Sequence, residues 1–171
     1  LQFLRDLPDY ESHVVISPSA YRTAMQEVEM DNDDIKGLCD TLYNHRDIGA
    51  AISSGSFKTK GMLIMPCSVK TLSGIANCYD NELIVRAADV CLKERRRVVL
   101  LFRETPLNAG HIRLMQHVTE SGAIVMPPVP GFYSNPKTID EMVNQTVGRA
   151  LDLLDINLPF VKRWQGNGVQ P

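Results

Sequence analysis

The chain has 171 residues, the size of one ordinary domain when ~150 residues is taken as the usual unit. Apolar residues make up 44% and charged residues 22%, which excludes global disorder and leaves a chain able to bury its own core without disulfides or a structural metal. Eighteen Lys and Arg against twenty Asp and Glu give a net charge of −2, so neither a basic nucleic-acid footprint nor a polybasic membrane anchor is expected.

Apolar residues at Leu1, Phe3, Leu4 and Leu7 read as the end of an amphipathic helix. Helices in α/β folds follow strands, so an opening strand and its loop are expected ahead of Leu1. The run His13-Val14-Val15-Ile16-Ser17 predicts a buried strand, and Pro18 opens a helical stretch to about Val28. Residues 31–46 are polar and weakly periodic, and an irregular segment is expected there. Gly61 to Met65 is a second apolar strand, ending in Pro66-Cys67-Ser68, with Ser68 placed to cap a helix from about Lys70 to Ala76. Between Asn81 and Glu94, Leu83, Ile84, Ala87, Ala88, Cys91 and Leu92 fall on one helical face.

Val98 to Phe102 predicts a third buried strand, with Arg103-Glu104-Thr105-Pro106 at its carboxyl end. A helix from about Ala109 to Ser121 stops at Gly122. Ala123 to Met126 predicts a fourth strand, cut off by Pro127-Pro128. Thr138 and Glu141 have capping-box spacing for a last helix to about Leu154. Residues 1–156 are expected to form the single domain, and residues 157–171, with Trp164 and two glycines, an arm outside it. Every apolar run is far shorter than the ~20 residues a membrane helix requires.

Short apolar strands alternating with helices predict an α/β fold whose mainly parallel sheet is covered on both faces. Ligands in such folds bind beyond the carboxyl ends of the strands, which directs attention to Ser17, to Ser68, Val69, Lys70 and Thr71, to Arg103 and Glu104, and to the Pro/Gly-rich loop holding Phe132 and Tyr133. The Ser68–Thr71 run brings hydroxyls, an ammonium and backbone N–H groups to a helix start, where a phosphate or a carbonyl-rich cofactor edge is favoured; plain capping by Ser68 is the alternative. It is no Walker loop, because the glycines are absent.

Arg103 beside Glu104 suits anion holding with proton positioning, or else a structural ion pair. Arg86 and Lys93 are seven apart, share a helix face and could reach one anion together; taken singly, each reads as a solvated charge. The run Lys93–Arg97 also reads as a polar helix end that complements the dipole. Tyr133 either donates to a phosphate or packs beside Phe132, and Trp164 reads as an interface or lid contact. His13, His45, His111 and His117 lack metal-ligand spacing, so no metal site is expected. Cys67 has no histidine at a diagnostic distance, which leaves a thiol hydrolase unsupported. Four cysteines without a C-x-x-C pair point to a reducing, cytoplasmic compartment.

Five blocks occur in a telling order: Gly55-Ser56-Phe57-x-Thr59-x-Gly61-Met62, Pro66-Cys67-Ser68-x-Lys70-Thr71-Leu72, Arg86-Ala87-Ala88-Asp89-Val90-x-Leu92-Lys93-Glu94-Arg95, Arg103-Glu104-Thr105-Pro106-Leu107 and Pro127-Pro128-x-Pro130-x-Phe132-Tyr133. On these the chain resembles the UbiX-type flavin prenyltransferases, from about Ser17 to Ile156. The resemblance implies a Rossmann-like (flavodoxin-like) three-layer sandwich. It also implies an enzyme that moves a dimethylallyl group from dimethylallyl monophosphate to reduced FMN, giving prenylated FMN for UbiD-type decarboxylases. No metal is implied, and a homo-oligomer, commonly a dodecamer, is. Some relatives bear the name of aromatic-acid decarboxylase subunits, which reflects the partner's chemistry.

By matching position, the resemblance puts Ser17, Ser68, Val69, Lys70 and Thr71 on FMN and Arg103 at the flavin and phosphate side. It puts Lys93, Tyr133 and Arg149 on the prenyl phosphate with Arg86 as a helper, and it makes Glu104 and Glu29, together with Lys93, the candidates for catalysis. The family's Gly-rich opening loop would lie before Leu1. Breaking the allylic C–O bond leaves positive charge on the prenyl group and negative charge on phosphate, so cations and a dry aromatic slot lower the barrier without a side-chain nucleophile. Two other readings stand beside this one: a non-catalytic FMN-binding or scaffold subunit of a decarboxylase system, and an FMN-dependent cysteine decarboxylase of the related fold. The latter needs a histidine after an early strand, for which His13 is poorly placed.

Overall fold

The computed structural model describes residues 1–164 and 166. Its centre is a parallel sheet of three strands, β3 (Gly61–Cys67), β4 (Arg97–Phe102) and β5 (Ile124–Val125), hydrogen-bonded in the order β3-β4-β5. In β4, Val98 to Phe102 are at most 3% exposed, as a strand sandwiched between two layers must be. Its side chains alternate between those layers, as the pleat requires. Val98, Leu100 and Phe102 join a core with Leu72 and Ile75 of α4 (Val69–Ala76), Val85 and Ala88 of α5 (Leu83–Lys93) and Val118 of α6 (Ala109–Glu120). Val99 and Leu101 face the opposite way, onto Ala150 and Leu151 of α7 (Ile139–Asp152) and onto Phe3 and Leu4 of α1 (Gln2–Arg5). The expected three-layer α/β arrangement follows from this alternation.

A second parallel pair, β1 (His13–Val15) and β2 (Thr41–Tyr43), aligns His13 with Thr41 and Val15 with Tyr43. Between them run α2 (Pro18–Val28) and α3 (Asn32–Lys36). Residues 31–46, expected to be irregular, thus contain a helix and a strand. The five-residue helix is too short for periodicity to register, and it is set by its cap: Asp31 accepts from the N–H groups of Asp33 and Asp34 while Asp34 accepts from that of Asp31. The strand is half-buried throughout and shows no apolar run. A small cluster of Ala50, Ile52, Leu83 and Ala87, with Val15, Tyr43, Phe57 and Met62 packed on it, ties this pair to the central sheet.

Two other expectations change at the far end of the chain. Thr138 caps α7 by accepting from the Glu141 N–H at 3.1 Å, but the Glu141 carboxylate takes the N–H of Lys137 instead of closing the box. Residues 157–161 do not extend as an arm: Leu158 and Val161 are 6% and 8% exposed and belong to the core on the α7 side. Gly148 makes this possible, since a Cβ there would lie 2.3 Å from Cγ2 of Val161. Residues 165 and 167–171 of the expected arm lie outside the described residues.

Candidate active site

β3 and β4 deliver their last residues to one edge. The N–H of Arg103 donates to the carbonyl of Cys67 at 3.2 Å, fixing the two strand ends together. Ser68 then caps α4: its Oγ accepts from the Thr71 N–H at 3.2 Å and lies 3.1 Å from the Thr71 hydroxyl. The capping role weighed from the sequence is therefore real. It leaves the first-turn N–H groups of Val69 and Lys70 without intrahelical acceptors, so the helix start still offers donors with the favourable end of the dipole.

The alternative reading of Arg103 and Glu104 as an ion pair does not hold. Among the described residues Arg103 has no carboxylate within salt-bridge distance, and Glu104 accepts from the N–H of Thr105 at 3.0 Å. Arg103, exposed, thus follows the end of β4, its backbone tied to Cys67, the residue that precedes the Ser68 cap. These groups suit a polar, phosphate-bearing ligand such as a flavin nucleotide. Cys67, just beneath, is fully buried, and burial pushes its thiol up to about 12, which removes it as a nucleophile. At the end of β1, Ser17 caps α2 by accepting from the Ala20 N–H at 3.2 Å.

The remaining candidates are placed differently. Lys70 is paired with Glu82 at 2.6 Å. Arg86 does not share an anion with Lys93. Its guanidinium pairs with Asp80 and Asp89 and donates to the Ser53 carbonyl, while Lys93 is bound to Glu94 at 2.7 Å, about 10 Å further along the helix axis. Lys93 and Glu94 lie over Gly55, where a Cβ would meet both side chains. Because α5 leads into β4, Lys93 sits at the amino end of that six-residue strand, about 17 Å of strand away from Arg103. Arg149 is also remote: Arg97, at the start of β4, donates to the Leu153 carbonyl and pairs with Asp155, so the carboxyl end of α7 packs against the amino edge of the sheet. Glu29 ends α2 with a left-handed backbone, φ 53°, a helix length of about 16 Å from Ser17. Tyr133, in the turn Phe132–Ser134 beyond β5, is exposed and meets the edge of Trp164.

A single chain therefore unites Ser68, Val69, Thr71, Arg103 and Glu104, and leaves Lys93, Arg149 and Glu29 elsewhere. Two clefts flank the edge. One of about 330 Å³ lies by Ile16, Pro18, Tyr21 and His45, whose buried Nδ1 has no partner; one of about 400 Å³ lies beside α4, by Lys70, Thr71 and Tyr79. Arg96, which the sequence places in a polar helix end, has a structural role of its own. Its guanidinium grips the carbonyls of Gly55 (2.6 Å) and Phe57 (2.8 Å) and so shapes the 55–59 loop. No spacing rule separates it from its neighbours Arg95 and Arg97. Among the described residues no group of three His, Cys, Asp or Glu side chains could hold a metal ion.

Comparison with known proteins agrees with this geometry. The Flavoprotein family model matches residues 1–150. The chain is 52% identical over 168 residues to the flavin prenyltransferase UbiX of Escherichia coli (strain K12), covering 97% of this chain and 89% of the relative. It is similar to the crystal structure of AnUbiX in complex with FMN and dimethylallyl pyrophosphate, with TM-score 0.93, 44% identity and coverage of 96% and 87%. It is equally similar to a dodecameric FMN-dependent Ubix-like decarboxylase from Escherichia coli O157:H7, with TM-score 0.93, 44% identity and coverage of 96% and 89%.

Proposed function

The chain belongs to the UbiX flavin prenyltransferases of the Flavoprotein family, and on that premise we propose that it transfers a dimethylallyl group from dimethylallyl monophosphate to reduced FMN. The observation that carries the reading is that Arg103, which among the described residues has no carboxylate partner, ends β4 with its N–H on the carbonyl of Cys67, just ahead of the donor-rich start of α4, at the carboxyl edge of a parallel sheet. Reduced FMN, when bound, supplies the nucleophilic ring atoms. Ser68, Val69, Lys70 and Thr71, with Ser17 across the edge, bind and orient it. Arg103 holds the phosphate side, and Glu104, anchored by the Thr105 N–H, holds or moves a proton at the departing phosphate.

Lys93, Tyr133 and Arg149 are assigned to the prenyl phosphate, with Arg86 and Glu29 in supporting places. Since Lys93 and Arg149 sit at the opposite end of their own chain, this assignment requires a homo-oligomer in which a neighbouring copy brings them to the edge. A dodecameric neighbour supports such an assembly. Cations there stabilise the leaving oxyanion, and a water-poor slot favours the allylic cation. The product is intended for a UbiD-type decarboxylase. All four cysteines are free, in keeping with a reducing cytoplasm.

Anaerobic incubation with reduced FMN and dimethylallyl monophosphate tests the reading. The flavin should gain one C5H8 unit, and an unchanged flavin mass rejects the transferase. Bound FMN without turnover selects the scaffold reading, and release of CO2 from a cysteinyl peptide selects the cysteine decarboxylase.

A further inference from the structure

Among the described residues the buried polar ones are Ser134 and Gln145, 7% and 8% exposed, and both hold the same stretch of chain. Gln145, in the middle of α7, grips the backbone of Lys162 twice: its Nε2 donates to the carbonyl at 2.7 Å and its Oε1 accepts from the N–H at 3.0 Å. The Lys162 ammonium donates to the Ser134 carbonyl at 2.9 Å. Arg163, next along, donates to both carboxylate oxygens of Asp152 at 2.9 and 2.7 Å, and Arg149 donates to the same carboxylate. The Asp152 side chain is only 6% exposed. Trp164 closes the stretch with its ring edge-on to Tyr133, centroids 6.4 Å apart.

A buried carboxylate between two guanidiniums and a buried amide satisfied at both ends are costly ways to hold a segment that Leu158 and Val161 already anchor by burial. What they add is specificity: one register of the segment and one orientation of each attached side chain. The connected path runs from Tyr133 through Ser134, Lys162, Arg163 and Asp152 to Arg149. Its two ends are the side chains assigned above to the prenyl phosphate.

We infer that residues 158–164 form a strap, and that Gln145 and Asp152 are positioning residues which set Tyr133 and Arg149 for the prenyl phosphate; the inference rests on the transferase reading. Neither residue touches the phosphate itself. Their removal should change prenyl-phosphate recognition and leave flavin binding alone.

The test uses the full-length protein with Gln145→Leu and Asp152→Asn, and with Arg163→Ala as a half-exposed variant that spares the core. For each, KM for dimethylallyl monophosphate should rise about tenfold or more, the size of one misplaced charge-assisted hydrogen bond, while FMN affinity stays within twofold. The single tryptophan gives a readout independent of turnover: the anisotropy of Trp164 fluorescence should be lower in Gln145→Leu than in the wild type, because the released segment moves more freely. Wild-type KM in folded Gln145→Leu and Arg163→Ala overturns the strap, as does equal loss of FMN and prenyl-phosphate affinity. If the wild type transfers no prenyl group, the functional reading falls and the positioning role with it, whereas an active wild type with indifferent variants removes the strap alone.

Discussion

The two parallel sheets of this molecule are built from the same kind of pairing yet anchored very differently. In the central sheet, β4 presents five consecutive residues at most 3% exposed, with helices packed on both faces. In the β1–β2 pair every residue is half-buried, and α2 between them has no buried residue at all. The candidate site draws on both. Ser68 and Arg103 hang from strand ends that cannot move without disturbing the main core, whereas Ser17 sits on a pair held mainly by the small cluster around Ile52 and Leu83. Backbone pairing alone does not confer rigidity; burial on both faces does.

Replacing one leucine in each sheet would break or sharpen this contrast. Leu100→Ala removes a 0% exposed side chain from the centre of the larger core and should cost about 2–5 kcal/mol of global stability, read as a fall in the urea midpoint at constant slope. The half-buried Leu42 of β2 should cost only about 1 kcal/mol when changed to Ala. Native-state hydrogen exchange supplies the matching observation. Amides of Val99 and Leu100 should exchange only through global unfolding, and those of Val14 and Leu42 through local opening at lower free energy. Equal protection in the two sheets would contradict the contrast.

The same difference governed what the sequence disclosed. The strand at 98–102 is legible because burial on both faces demands an unbroken apolar run, the strand at 61–65 shows a similar run although Met65 is 39% exposed, and Gly122 marks a helix end because its φ of +100° suits glycine. Thr41-Leu42-Tyr43 is invisible by that criterion, since every residue is only half-buried and three residues are too few to show alternation. At the site, Ser68 and Arg103 could be found because strand ends position them directly. The remoteness of Lys93 and Arg149 could not, because helix-face spacing says nothing of which end of the sheet a helix terminus reaches. Asp152 and Gln145 also escaped notice, as their partners lie 11 and 17 residues away across a turn of chain that no local pattern specifies.

The smallest expected effect concerns acid. Asp40 clips the start of β1 to the start of β2 by accepting from the Ser12 N–H at 2.7 Å and from the Ser12 hydroxyl at 2.8 Å. These bonds hold its carboxyl below the usual carboxylate range. A depressed folded-state value means that the clip's contribution is fully present above about pH 4 and is lost as pH falls through the folded value. Local opening of His13–Val15, followed by hydrogen exchange corrected for intrinsic rates, should therefore become easier as pH falls below about 4, before β4 responds. Glu11 is the neighbouring carboxylate, 3.4 Å from His13, and Glu11→Gln is the control that should leave the effect in place. Asp40→Asn should abolish it, because a neutral amide keeps the shape of the clip but has no proton to gain; persistence of the acid response in that variant would assign it to some other carboxylate.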